Sequence, residues 1–140
     1  MSDDQGDRVE ITRKIRVMTY EVDFAGIVSN QVYFRWLEDM RMDITSLYAD
    51  FRDILKEGVV PVLAHTEIDY KRPLRLLDEV DGVMWVEEMG DTRWVLRAEF
   101  RKGDEVCARS MQWGVFVDTG TLRPVAAPDI FPRVRSGRMT

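Results

Sequence analysis

The 140-residue chain is 45% hydrophobic and 32% charged, with a formal net charge of −5. That is the profile of one soluble globular domain, long enough to bury a core without disulfides or a structural metal. One cysteine, Cys107, excludes an internal disulfide and, with a single histidine, leaves too little material for a zinc site. The acidic balance argues against general nucleic-acid binding, although a local basic patch is enough for an anionic small molecule. No apolar run is long enough to span a bilayer, and the start, MSDDQGD, is acidic where a secretory signal is basic and then apolar. The expectation is a cytoplasmic protein with a disordered head over residues 1–8, one domain over 9–132 and a tail over 133–140.

In chain order, VEITRKIRVMTY (9–20) places Val9, Ile11, Ile15 and Val17 at even spacing, which predicts a strand with one apolar face. After Asp23 and Gly26 the period changes. Tyr33, Leu37, Met40, Ile44 and Leu47 recur at three and four residues, so a helix is expected from about 30 to 56, ended by Gly58. Phe34 and Met42 fall on the opposite side of that helix, which predicts one enclosed on two sides. VVPVLAHTEIDYKRPL (59–74), DEVDGVMWVEEM (78–89), TRWVLRAEFR (92–101) and EVCARSMQWGVFVD (105–118) read as strands. The last three are joined by the glycine-containing connections Met89-Gly90-Asp91 and Lys102-Gly103-Asp104. The remaining RPVAAPDIFPRVRSGRMT is rich in proline and arginine and reads as irregular. The expected fold class is α+β, a five-stranded, mostly antiparallel sheet wrapped around one long helix. Its edges must be paired or covered, which predicts a homo-oligomer formed by sheet extension.

Asp23 is the only acid read in the loop before the helix, and Asn30 stands at the helix start, where N–H groups lack intrahelical partners and the dipole is positive. A carbonyl aimed at that terminus is polarised, and a neighbouring carboxylate can attack it or activate water. Gly26 gives the backbone room to turn between the two. The competing reading of Asp23 is a turn acid or helix cap. Glu38 is a second candidate acid, against the simpler reading of an ion pair with Arg35 or Arg41. His65, on a strand face with Glu67 and Asp69, reads as a solvated residue, and Cys107 as a small strand residue without a base. Phe24 and Tyr33 are candidates for an apolar substrate wall, though an aromatic is more often packing.

VDFAGIVSNQVYFRWLEDMR resembles the hot-dog-fold acyl-CoA thioesterases, in particular the 4-hydroxybenzoyl-CoA thioesterase-like branch. The shared pattern is Asp, two residues, Gly-Ile-Val, a polar step, an aromatic and then Trp-x-Glu-x-x-Arg. IDYKRPLRLLDEV and TGTLRPVAAPDIF are weaker matches, and together the stretches run from about residue 10 to 132. The resemblance implies hydrolysis of an acyl-CoA without a cofactor, in dimers with active sites at the subunit interface, often paired as dimers of dimers. It further implies that Asp23 is the catalytic carboxylate and that the Asn30 backbone amide polarises the carbonyl. Ser29-Asn30 departs from the aromatic-His or Phe-Tyr pair of many relatives, a change that a backbone role survives. The Asp-x-x-x-x-His arrangement of hot-dog hydratases is absent, since residue 28 is Val. Lys71, Arg72 and Arg75 are the first candidates for the coenzyme A phosphates, with the Arg93, Arg97 and Arg101 stripe as rival. An acyl carrier protein thioesterase and a non-catalytic acyl-CoA-binding protein are the alternatives.

Overall fold

A computed structural model describes residues 8–139. The expected head over 1–8 therefore lies outside the described residues except for Arg8, whose guanidinium sits 3.9 Å from the Trp85 ring centroid. Strand β1 (Glu10–Arg16) turns its alternate residues Ile11, Arg13 and Ile15 inward, as its even spacing predicts. A short 3-10 turn, Thr19–Glu21, leads into the Asp23 loop, and helix α1 (Asn30–Thr45) follows.

The helix departs from its expected form in two ways. Val32, Tyr33, Trp36, Leu37, Met40 and Ile44 are buried at helical spacing, but Phe34 and Met42 are 48% and 47% exposed. Within the chain α1 therefore has one buried face and is not enclosed on two sides. It also ends at Thr45. The Ser46 hydroxyl donates to the Asp43 carbonyl at 2.7 Å, and Asp50 caps a separate helix α2 (Phe51–Lys56) by accepting from the Arg52 N–H at 2.8 Å. A side chain that supplies its own local partner competes with continuing the helix, so the apolar spacing that extended through Leu47 overran the break. Gly58 follows α2 at the expected place, with φ 76°.

The strands β2 (Val59–Tyr70), β3 (Glu79–Met89), β4 (Arg93–Lys102) and β5 (Glu105–Asp118) lie in the spatial order β2-β5-β4-β3, with β1 on the far side of β3 and every pairing antiparallel. The meander of the last three long strands is as expected. Met84, Val86, Trp94, Leu96, Ala98, Phe100, Ala108 and Phe116 join the buried face of α1 in one core. The C-terminal stretch read as irregular is instead structured. It adds β6 (Pro124–Val125) beside β5, then β7 (Val134–Arg135) beside β3, and β8 (Arg138–Met139) beside β7, so the sheet has eight strands rather than five among the described residues. Its proline-rich composition hid three anchors, Ala127, Phe131 and Val134, all buried. Phe131 packs on Tyr48 and Phe116 with ring centroids 5.1 and 5.3 Å away.

β2 is an edge strand: it is bonded to β5 alone among the described residues. Pro61 within it and a bulge between Leu63 and His65 suit an edge. Val62 and Leu63 remain 39% and 38% exposed.

Candidate active site

The Asp23 loop is built by its own hydrogen bonds. Asp23 Oδ1 accepts from the N–H groups of Ala25 at 2.9 Å and Ile27 at 3.1 Å. The Gly26 N–H donates to the Asp23 carbonyl at 2.9 Å, closing a turn in which Gly26 takes φ +73°, a conformation that favours glycine. The turn reading of Asp23 is thus realised through one oxygen, while Oδ2 accepts from no described residue and stays available for chemistry. The segment after the turn is clamped against residues 74–76: the Val28 N–H donates to the Leu74 carbonyl and the Leu76 N–H to the Gly26 carbonyl.

A second acid holds this loop, and it was missed in the sequence. Glu21 is 6% exposed. Its carboxylate accepts from the Met18 N–H at 2.9 Å, the Trp36 indole N–H at 3.0 Å and Arg35 at 3.4 Å. The signal available was the Glu two residues before Asp23 together with the Trp of the helix motif, which needs an acceptor for its indole when buried. Glu21 thereby fixes the loop to α1, and its carbonyl accepts the Ser29 N–H at 3.1 Å.

The first turn of α1 is left open. Ser29 makes no side-chain cap, and neither the Asn30 nor the Gln31 N–H has an acceptor among the described residues. These orphan donors and the helix dipole form a site for a developing negative charge. Asn30 and Tyr33 line a cleft of about 240 Å³ with Ile27, Val28, Tyr70, Lys71, Arg72 and Pro73. Four of the sequence-derived candidates, Asn30, Tyr33, Lys71 and Arg72, therefore meet at one place. Asp23 adjoins it through Ile27. Arg75 bridges to Ile27 through the backbone. Phe24, in the Asp23 loop, is fully exposed and is not among the residues that line the Asn30 cleft. Tyr33 is 3% exposed, and burial, then Cys107 and Tyr70 nearby, pushes its hydroxyl up to about 12. It therefore stays protonated and cannot serve as a base.

The basic residues separate into paired and unpaired groups. Arg72 pairs with Glu105 at 2.7 Å; Arg75 lies in the field of Asp78, whose carboxylate accepts from the Arg75 N–H; Lys71 makes no ion pair among the described residues. The rival stripe is occupied: Arg93 pairs with Glu88 and Arg97 with Glu87, both at 3.7 Å, and Arg101 with Glu99. His65 meets Glu67 at 3.0 Å and stacks on Trp113, an exposed strand pair as read. Cys107 is buried, and burial raises its thiol pKa, which suits packing rather than reactivity.

Glu38 acts on Arg41 through its charge but makes no close contact with it. Arg35 turns to Glu21, and Arg41 donates to Gln112 Oε1 at 2.9 Å, so neither guanidinium reaches Glu38 as a direct salt bridge. Glu38 instead stands exposed at the rim of a second cavity, of about 200 Å³, between the C-terminal half of α1 and the sheet. Its floor is apolar, from Val86, Met89, Trp94, Leu96, Phe116 and Phe131. Among the described residues no His, Cys, Asp and Glu are grouped to hold a metal ion, and no helix is long and apolar enough to cross a membrane.

The profile of the Thioesterase-like superfamily matches residues 17–133, and the chain belongs to that family of thioester hydrolases. YneP of Bacillus subtilis (strain 168), provisionally named an acyl-CoA thioesterase, is 26% identical over 125 residues, covering 86% of this chain and 88% of its own. The fold matches the DHNA-CoA thioesterase of Staphylococcus aureus at a TM-score of 0.77 and 21% identity, over 84% of this chain and 80% of that one. It matches the gentisyl-coenzyme A thioesterase BH1999 at 0.77 and 21%, over 86% and 98%. These neighbours establish the hot-dog fold that the sequence motif implied.

Proposed function

We propose that the protein hydrolyses an acyl-CoA to the free acid and coenzyme A, with Asp23 as the catalytic carboxylate and the Asn30 N–H as an oxyanion donor. The observation that carries this reading is a cleft at a helix N-terminus with unclaimed amides, whose wall residue Ile27 is bonded to a carboxylate, Asp23, with one oxygen left free. The substrate carbonyl accepts from Asn30 N–H, which lowers the cost of the tetrahedral oxyanion. Asp23 Oδ2 either attacks the carbonyl carbon, expelling the thiolate and leaving a mixed anhydride that water then hydrolyses to the free acid and Asp23, or takes a proton from the attacking water. Lys71 on the cleft wall, with Arg75 beside it, suits the phosphates of coenzyme A. The names of YneP and of the two structural neighbours support a coenzyme A thioester as substrate. The long free edge of β2 supports a homodimer built by antiparallel β2 pairing.

Thiol release from a panel of benzoyl-, short- and long-chain acyl-CoAs tests the reading. Multiple turnovers on at least one member are expected; Cys107 can account for one equivalent of reagent at most. An enzyme inert on every coenzyme A thioester but active on the matching acyl carrier protein thioester would replace the proposed substrate.

A further inference from the structure

Arg41 carries a charge into the apolar cavity between α1 and the sheet. Its guanidinium reaches across to β5, where it donates to Gln112 Oε1 at 2.9 Å. Gln112 is 1% exposed, and its Nε2 donates to Thr66 Oγ1 at 3.0 Å. The amide is thereby held with its oxygen toward Arg41, and it lies opposite Leu96 of the cavity floor. A guanidinium has five N–H donors, and this neutral amide is its one hydrogen-bond acceptor among the described residues. Burial lowers the Arg41 pKa, and the charge of Glu38 opposes that shift without contact. A cation withdrawn from water is costly until a carboxylate meets it.

The rest of the cavity is apolar and runs away from that charge. From the level of Gln112 it follows β5 to Phe116, four residues on, or roughly 13 Å at strand spacing. Halfway, the Trp94 ring lies over Gly114. Phe131 closes the far end against Phe116, with ring centroids 5.3 Å apart. The result is one cationic end and an apolar body of about 200 Å³, more than the roughly 150 Å³ that suffices for benzene. An apolar cavity with a single placed charge orients what it binds.

Resting on the thioesterase reading above only for the origin of the ligand, we infer that Arg41, set by Gln112, is a carboxylate seat, and that the cavity binds a free apolar monocarboxylic acid, the class of molecule that hydrolysis of an acyl-CoA releases. A carboxylate accepts two parallel N–H bonds from the guanidinium fork and supplies the opposite charge that no described residue brings into contact. The alkyl or aryl body then lies along Trp94 toward Phe131. A neutral thioester offers Arg41 no charge, so the seat favours the acid over the ester it comes from, and the enzyme slows as acid accumulates. A second carboxylate at the Phe131 end would find no partner, which excludes dicarboxylic acids.

Octanoate, octanol and octylamine, matched in tail, test the seat by calorimetric titration of the full chain. Octanoate is expected to bind about tenfold more tightly than octanol or better, and octylamine not measurably. Arg41→Met keeps an apolar stem and removes the fork. Gln112→Glu gives Arg41 a carboxylate of its own and serves should the first variant fail to fold. Each is expected to weaken octanoate about tenfold or more and to leave octanol within about twofold. Glu38→Gln removes a like charge from the rim and is expected to tighten octanoate about two- to threefold at low salt. Quenching of tryptophan emission by 8-bromooctanoate, lost in Trp94→Phe, places the tail along the floor. Octanol binding as tightly as octanoate overturns the seat, and so does octanoate binding unchanged in both Arg41→Met and Gln112→Glu. Quenching retained in Trp94→Phe moves the acid out of this cavity and overturns it as well. None of these readings needs turnover: Asp23→Asn is expected to bind octanoate as the wild type does, so an enzyme inert on every acyl-CoA overturns the hydrolysis reading and leaves the seat standing. With octanoyl-CoA as substrate, progress curves that bend as octanoate accumulates and straighten in Gln112→Glu assign the acid to the enzyme's own reaction; straight curves in the wild type overturn that origin.

Discussion

Asn30 acts, in this reading, through its main chain, and that separates two substitutions at one position. Asn30→Ala keeps the N–H and is expected to stay within about threefold of wild-type kcat. Asn30→Pro removes the N–H where proline is tolerated, at the first helical position, and no helical bond is lost with it. Its kcat is expected to fall about 10²- to 10³-fold with the melting curve little changed. Equal loss in both variants would move the role to the side chain. Asp78 ties the segment that carries Arg75 to β4. It accepts from the Arg75 N–H at 2.8 Å and pairs with Lys102 at 3.0 Å. Burial opposes ionisation, but these donors prevail and hold its carboxyl below the ordinary value of 3.8. A depressed folded-state pKa stabilises above the unfolded value, and the gain is lost as pH falls through the folded one. Asp78→Asn is therefore expected to cost about 1–2 kcal/mol in urea unfolding at neutral pH, with the gap to wild type closing as pH drops below 3.8. At this scale the sequence was most legible in local structure: the turn at Asp23–Gly26 and the helix start at Asn30 lie where the motif placed them. Glu21 was invisible because its role depends on a buried indole fifteen residues away.

Elements followed the periodicity wherever one face is buried and stopped following it where local hydrogen bonds took over. β4 alternates as written, with Trp94, Leu96, Ala98 and Phe100 buried. The helix expected over 30–56 breaks because Ser46 and Asp50 supply their own partners, information carried by two polar residues and swamped by the apolar pattern around them. The C-terminal strands were hidden for a related reason: Ala127, Phe131 and Val134 are anchors at irregular spacing, with no period to detect. The contact between β5 and Trp94 has a sharp consequence. A Cβ at Gly114 would lie 2.0 Å from the Val62 carbonyl oxygen and 2.4 Å from the Trp94 ring. Gly114→Ala must therefore displace backbone or an indole that floors the apolar cavity. It is expected to lower stability by about 3 kcal/mol or more, read by chemical denaturation, and to shift Trp fluorescence. A loss under about 0.5 kcal/mol would show that β2 and Trp94 yield freely.

At the scale of the whole molecule, the single chain leaves one sheet edge without a neighbour among the described residues. The edge of β2 is open, and Val62 and Leu63 are exposed along it. The sequence supplied the expectation of sheet extension from the number of strands; which edge stays free could be read only from the spatial order, since β2 pairs with β5 from Tyr70–Ala108 out to Val59–Asp118, far apart along the chain. Val62→Lys combined with Ala64→Lys sets like charges along that edge. The pair is expected to shift sedimentation from dimer to monomer and to abolish turnover while the fold persists. A fully active monomer would contradict an active site at the subunit interface. The central claim, hydrolysis at Asp23, is tested most directly by the kcat of Asp23→Asn on whichever acyl-CoA the wild type turns over fastest. Asparagine keeps the oxygen that accepts from Ala25 and Ile27 and alters only the free one, so the loop survives the change. A fall of about 10²- to 10⁴-fold at unchanged oligomeric state is expected; a kcat equal to wild type would make Asp23 a turn residue and leave the chemistry to another group.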